Sequence, residues 1–357
     1  MPHMETIRNS LAELASGPPL VVALAGGTTG IGAYVAKALA SAFAKNGTKL
    51  RVYIVGRNAT RAATVIAESQ RISPASEWRF VQATDLALIS EVDRCCAEII
   101  QQETEAPFHG GPIRLDLLYM THGYPVLKER TTTREGLDAF ISIVYYSRIR
   151  FITQLLPLLT ASPKSGHVIS VYAGTFEDGT KPGDSPIGCP PPSIYGVTSV
   201  RKHTSFMKTF MFEEFADKHA GKLSLTHIYP GLVDGPGFTS PEMPLWFRAV
   251  WRLLKPLSKL YMTSADDCGD VLLYLATARY PAKDTMKNSQ VLVGGLEVAR
   301  SSNGEVGGGC YTVGQRADAT NKVSYEKVRS AETGKQVWDH TMDILNGVEA
   351  ANSAAAR

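Results

Sequence analysis

The sequence has no apolar run approaching the roughly 18 residues that a membrane-spanning helix needs. Its first stretch, MPHMETIRNSLAELASGPP, lacks both a continuous apolar core and a small-residue cleavage site. Neither a membrane span nor a secretion signal is therefore expected. Cysteine is scarce, with five in 357 residues (Cys95, Cys96, Cys189, Cys268, Cys310). The odd count and the absence of metal-type spacing argue against a disulfide framework and against a metal site, and a cytoplasmic compartment follows as the expectation. Charge of one sign is also lacking: 37 Lys and Arg are interleaved with 34 Asp and Glu for a net +3, so no basic stripe points to nucleic acid.

What is present is a content of 44% hydrophobic and 20% charged residues in a chain long enough for one large globular domain. A weak helical pattern (Ile7, Leu11, Leu14) stops at Gly17-Pro18-Pro19. From there the chain alternates apolar, β-branched runs with amphipathic helical stretches. LVVALA precedes a helix ending at Asn46-Gly47, and KLRVYIVGR precedes one from about residue 59 to 69. EWRFVQATDL precedes one from about 89 to 103, and RLDLLYMTHGY one from about 135 to 159. SGHVISVYAG, LSLTHIYPG and GGGCYTVG read as three more strands, with a long helix from about Tyr195 and a terminal helix around 335 to 345. Strands alternating with helices at this spacing predict an α/β fold, a doubly wound parallel sheet covered on both faces. Two segments break the rhythm: a Gly/Pro-rich loop over 175–193 and an inserted helical region over 238–262.

AGGTTGIG places Gly26, Thr28, Gly30, Ile31 and Gly32 between a strand and a helix. Small residues there let the backbone approach a pyrophosphate, and the free amides of a helix N-terminus stabilise its charge. This turn predicts dinucleotide binding.

The spacing GxxxGxG resembles that of the short-chain dehydrogenase/reductase family, and further positions agree in order. Arg57 follows the second strand where the family recognises the adenosine ribose. A guanidinium there suits a 2′-phosphate and the acidic residue favouring NAD is absent, so the resemblance implies NADP; a solvated loop arginine is the plain alternative. Asp85 and Leu86 match the adenine-contacting pair, Thr121-His122-Gly123 stands in the Asn-Ala-Gly position, and Pro230, Gly231 and Val233 match the nicotinamide-side loop. The likeness spans roughly residues 20 to 235. EGLDAFISIVYYSRIRFITQLLPLL and SIYGVTSVRKHTSFM look more like a fungal subgroup associated with secondary metabolism in which the lysine position is commonly altered. The implied organisation is an N-terminal helix (1–18), a Rossmann-like domain (19–315) with a lid at 238–262, and a C-terminal extension (316–357).

The family's tetrad is Asn, Ser, Tyr and Lys, and here only the tyrosine, Tyr195, matches. Val144 falls at the asparagine position, Tyr172 or Ala173 at the serine position with Ser170 too early, and Ser199 at the lysine position. A tyrosine of ordinary pKa near 10 is phenolate in only about one molecule in a thousand at pH 7, which handicaps alcohol oxidation and leaves carbonyl reduction possible. Lys202, seven residues on and so roughly 700° around a helix begun at Tyr195, is a candidate substitute, and His203 a second; Lys202 on a solvated face is the alternative. His122 at the sheet's C-terminal edge is a candidate for proton transfer, or a hydrogen-bonded structural histidine. Tyr172 either offers a hydroxyl to the pocket or is a core aromatic.

In PLWFRAVWRLLKPLSKLYM the apolar residues Trp246, Val250, Leu253, Leu254, Leu257, Leu260 and Tyr261 alternate with Arg248, Arg252, Lys255 and Lys259, an amphipathic helix kinked or restarted at Pro256. A substrate lid, an oligomer contact and a membrane-surface contact remain open for it. The leading expectation is an NADP-dependent reductase of a hydrophobic secondary metabolite with Tyr195 as proton donor. The alternatives are a non-redox isomerase, dehydratase or cyclase, or a catalytically silent nucleotide-binding protein. The resemblance also implies a homo-oligomer.

Overall fold

The computed structural model describes residues 2–124, 130–175, 186–236, 245–258, 262–286, 297–317 and 329–355. Seven strands form one all-parallel sheet in the order β3-β2-β1-β4-β5-β6-β7. They are β1 (Leu20–Ala25), β2 (Leu50–Gly56), β3 (Glu77–Gln82), β4 (Leu117–Met120), β5 (Gly166–Val171), β6 (Leu223–Ile228) and β7 (Cys310–Val313). Every residue of β1 is buried, as expected of a strand with helices on both faces. Its alternation sorts the core: Val21, Ala23 and Ala25 join one apolar cluster, Leu20, Val22 and Leu24 the other. The predicted doubly wound sheet is the fold observed.

The helices are α1 (Met4–Ser16), α2 (Gly30–Ala42), α3 (Ala59–Ile72), α4 (Ile89–Glu105), α5 (Ala139–Ile141), α6 (Ser147–Thr160), α7 (Val197–Lys218), α8 (Leu245–Ser258), α9 (Ala265–Tyr274) and α10 (Thr333–Ala355). A π-helical turn, Ser142–Tyr146, joins α5 to α6. Residues of α4, α6, α7 and α10 cover one face of the sheet and those of α1, α2, α3 and α9 the other. The C-terminal helix is longer than the sequence pattern indicates and is fastened to the body. The Tyr145 and Thr341 hydroxyls lie 2.7 Å apart, and Arg150 Nη2 reaches Glu349 at 2.9 Å.

Of the Gly/Pro loop, residues 176–185 lie outside the described residues, as do 237–244 and 259–261 of the inserted region and 318–328 of the C-terminal extension. Among the described residues no helix is long and apolar enough to cross a membrane, and no cluster of metal-binding side chains occurs.

Candidate active site

The neighbours β1 and β4 are joined to the rest of the chain in opposite directions, and the crevice at their C-terminal ends is where doubly wound sheets take ligands. The glycine-rich turn sits there. Gly26 has φ +89°, and a Cβ on it would lie 2.6 Å from the His122 amide nitrogen. A Cβ on Gly32 would lie 2.3 Å from the Gly26 carbonyl oxygen, so α2 presses directly on the turn. Gly30, the first residue of α2, has φ +55° and meets nothing within 4 Å on its side-chain side. Open space therefore faces the free amides at the start of a 13-residue helix. The Ile31 side chain packs with the core cluster on the α2 face of the sheet.

A cleft of about 130 Å³ continues from the turn, bordered by Thr28, Arg57, Asp85, Leu86, Gly123 and Ile143. Arg57 follows β2 directly and is exposed at the rim. Asp85 Oδ1 accepts the Ala87 amide at 2.9 Å, which fixes the floor, and the Tyr124 hydroxyl approaches the same oxygen at 3.5 Å. The structure thus gathers Gly26, Thr28, Arg57, Asp85, Leu86 and Gly123 into one cleft. Pro230, Gly231 and Val233 lie in the loop after β6. Gly231 has φ +74° and packs under Gln315, Val233 bridges to Thr263, and the Tyr34 hydroxyl donates to the Asp234 carbonyl at 2.8 Å. Tyr34 ties α2 to this loop, a role its position in an amphipathic helix gave no reason to expect.

The tetrad positions differ from the sequence reading. The long helix begins at Val197, not at Tyr195: Pro191, Pro192 and Gly196 hold the preceding residues in a turn. Ser199, at the lysine position, caps this start, accepting the Gly196 amide at 3.0 Å and donating to Ile194 O at 2.5 Å. Because Tyr195 stands outside the helix, the seven-residue helical relation to Lys202 does not arise. His203 is buried, with Nδ1 2.9 Å from Gly188 O. The Tyr195 hydroxyl donates to Asp138 Oδ1 at 3.2 Å, and burial together with that carboxylate pushes the phenol well above its ordinary pKa. Asp138 also caps α5 through the Ile141 amide and pairs with Arg130 at 3.6 Å.

His122 is fully buried. Its Nε2 lies 3.0 Å from Ser147 Oγ and its Nδ1 3.4 Å from Ala25 O. Burial, reinforced by the Arg148 charge, holds it well below the usual histidine pKa. Both nitrogens are engaged and the ring is held neutral, which supports the alternative reading of a hydrogen-bonded structural histidine.

The cation that sequence reasoning missed is Arg148. It is 1% exposed, yet donates only to neutral groups: Ser170 Oγ and Val171 O, each at 2.8 Å, and His122 O at 2.5 Å. Burial lowers its pKa to about 9. It straps the end of β4 to the end of β5 and consumes Ser170, the serine that stood too early for catalysis. A second fully buried cation, Lys208 on α7, places its ammonium 5.3 Å from the centroid of the Tyr172 ring. An arginine inside the apolar stretch IVYYSRIRF was the available signal for the first; nothing in α7 distinguished the second.

Val144, at the asparagine position, joins Ile143 and Ala87 in a small apolar cluster against which Tyr124, Phe140 and Tyr172 pack. The inserted helix α8 runs unbroken through Pro256, and its apolar residues Leu245, Trp246, Val250 and Leu253 face outward, 45 to 79% exposed. Lys255 reaches Asp234 at 3.4 Å, anchoring the helix to the loop after β6.

No family model matches the chain. It is 60% identical over 357 residues to the short-chain dehydrogenase/reductase SAT2 of Stachybotrys chartarum, covering all of both chains. Oxidoreductase andH of Emericella variicolor is 34% identical over 356 residues, 98% of each chain. Among solved structures, L-sorbose reductase from Gluconobacter frateurii, complexed with NADPH and L-sorbose, superposes with a TM-score of 0.51 over 73% of this chain and 91% of its own. At 16% identity that likeness is one of fold.

Proposed function

The chain belongs to the short-chain dehydrogenase/reductase family, and on that premise we propose that it is an NADP-dependent oxidoreductase reducing a carbonyl of a bulky hydrophobic secondary metabolite, a polyketide or terpenoid. The observation that carries the reading is the glycine cradle: Gly30 opens onto empty space at the α2 N-terminus, and Arg57 stands at the rim of the adjoining cleft. A dinucleotide fits these residues. The α2 amides and the Gly26–Gly32 turn would hold the pyrophosphate, Arg57 the 2′-phosphate, and Asp85 with Leu86 the adenine.

When bound, the reduced nicotinamide supplies a hydride. The chain's own part is to orient a carbonyl, exclude water and deliver a proton to the carbonyl oxygen. Burial keeps both tyrosines considered for that step, Tyr172 and Tyr195, above the ordinary phenol pKa, so each holds its proton at neutral pH. That favours reduction over oxidation. Val144, Ile143, Phe140 and Tyr124 give the pocket an apolar wall where the family's asparagine would be polar, which supports a lipophilic substrate.

The reading is tested by titrating the protein with NADPH and NADH and following nicotinamide fluorescence. NADPH is expected to bind at least ~10-fold more tightly, and Arg57→Ala to weaken NADPH by ~10- to 100-fold while leaving NADH nearly unchanged, the loss of one charge-assisted phosphate contact. Failure of both nucleotides to bind at millimolar concentration would remove the reading.

A further inference from the structure

Two phenols flank the short helix α5, and their electrostatic surroundings differ. Tyr195 donates its hydroxyl proton to the Asp138 carboxylate at 3.2 Å. A proton leaving that oxygen would set a phenolate against this carboxylate, which resists the transfer although Arg130 lies 3.6 Å from the carboxylate and 5.8 Å from the ring centroid. Tyr172 is surrounded by cations instead. Burial raises its phenol, Arg201 of α7 and Arg148 of α6 draw it down, and the Lys208 ammonium lies 5.3 Å from its ring.

The position of Tyr172 also suits chemistry. It is the first residue beyond β5 at the sheet's C-terminal edge, with its amide fixed to Ile228 O at 2.9 Å. It is partly exposed although Val171 and Ala173 on either side are buried. It packs against the small cluster of Ala87, Ile143 and Val144; Ile143 borders the nucleotide cleft, and the missing Cβ of Gly123 in that cleft would lie 3.9 Å from a Val144 methyl.

We propose that Tyr172, rather than Tyr195, is the proton donor to the substrate carbonyl, with Lys208, Arg201 and Arg148 supplying the compensating positive charge. The proposal rests on the reductase reading above. In the step, a hydride from NADPH arrives at the carbonyl carbon, the carbonyl π pair moves onto oxygen, and the Tyr172 O–H bond breaks to protonate it. The phenolate left behind regains a proton from solvent. One carbonyl, one NADPH and one proton are consumed, and one alcohol and one NADP⁺ are formed. Burial raises the Tyr172 phenol, whereas Arg201 and Arg148 draw it down. His122 after β4 and His227 on β6 face the same cations and are held neutral, so they add no opposing charge. The negative charge that develops on the phenol oxygen is thus stabilised by groups already in place.

The test labels the full-length protein with 3-fluorotyrosine at position 172 or, separately, at 195, and reads both by fluorine NMR. Adding NADP⁺ is expected to move the 172 resonance more than the 195 resonance. Arg201→Met is expected to raise the pH at which the 172 label titrates, and Arg201→Lys to restore it. In parallel, NADPH oxidation is followed with 9,10-phenanthrenequinone as the lipophilic carbonyl probe. Tyr172→Phe should lower kcat by roughly 100-fold or more with NADPH affinity kept, whereas Tyr195→Phe should cost under about 5-fold. If Tyr172→Phe does not fold, the Arg201 pair and the fluorine shifts still decide. A large loss at Tyr195 with Tyr172→Phe active, or NADP⁺ binding that leaves the 172 label unmoved, overturns the assignment while the reductase reading stands. Absence of NADP(H) binding removes both.

Discussion

Gly32→Ala is expected to abolish measurable NADPH binding and to destabilise the protein by roughly 2–4 kcal/mol, the scale of a methyl forced into packed backbone. The new Cβ would stand 2.3 Å from the Gly26 carbonyl oxygen and 2.8 Å from Thr121 Oγ1. The nearer of the two is backbone. Gly26 is pinned by its amide to Val55 O at 2.9 Å, and Thr121 by its amide to Ala25 O at 2.8 Å, so relief requires moving α2 off the sheet. Gly30→Ala is the informative companion. Its methyl would meet no protein atom within 4 Å, and the φ of +55° costs only about 1 kcal/mol for a non-glycine residue. The methyl would, however, occupy the space assigned to the pyrophosphate. Gly30→Ala should therefore melt close to the parent and still lose NADPH affinity by ~100-fold, about 2.7 kcal/mol. Thermal melts and nucleotide titrations on the two variants check both statements, and tight NADPH binding by Gly30→Ala would contradict the placement of the phosphates.

Acid should unfold this protein unusually early. Three histidines are buried and held neutral: His122 by burial and Arg148, His167 by burial to a pKa of about 4, and His227 by burial with Lys208 and Arg148. In the unfolded chain each takes up a proton near pH 6.5. Because the folded pKa values are depressed, the unfolded state binds more protons as pH falls below 6.5, and stability drops through that window. Three such groups give a slope of up to about 4 kcal/mol per pH unit. Urea unfolding at pH 7.0 and at pH 5.5 measures the effect directly. His227→Gln keeps an acceptor for the Ala173 amide, which His227 Nε2 receives at 3.2 Å, and should flatten the dependence by about a third. Equal stability at the two pH values would show that these imidazoles protonate without unfolding.

Arg148 and Lys208, which add to the burial that depresses His122 and His227, also lie near Tyr172. Arg148 has no carboxylate among its hydrogen-bond partners. A buried guanidinium bonded only to carbonyls and a hydroxyl, with its Nε lacking a hydrogen-bond partner, carries a desolvation cost that a structural strut alone does not require. In the proposed step it would stand with Lys208 beside an oxygen that becomes negative during turnover.

Much of this was legible in the chain. The strands were readable because a parallel sheet buried on both faces demands uninterrupted apolar runs such as LVVALA, and the phosphate turn because glycine is required wherever a Cβ would strike backbone. The start of α7 was misplaced by two residues. SIYGVTSV carries an apolar pattern from Ile194 onward, and the opposing signals, Pro191-Pro192 before it and Gly196 with Ser199 at the cap, act over a shorter range than that pattern. This shift moved Tyr195 off the helix and removed the geometric basis for Lys202. The apolar stripe of α8 was read as a stripe, but periodicity does not say whether such a face turns inward, and here Trp246, Val250 and Leu253 turn outward.

The sequence by itself determined the order of strands and helices, the glycine turn at the head of α2 and the arginine after β2, all features whose physical cause lies within a few residues of chain. The tertiary structure alone decided which phenol meets a carboxylate and which meets cations. Asp138, Arg148, Arg201 and Lys208 come from α6, α7 and the segment before α5, brought to Tyr195 and Tyr172 only when those helices pack across the sheet. Electrostatic interaction depends on distance through space, and no local pattern in the sequence encodes it.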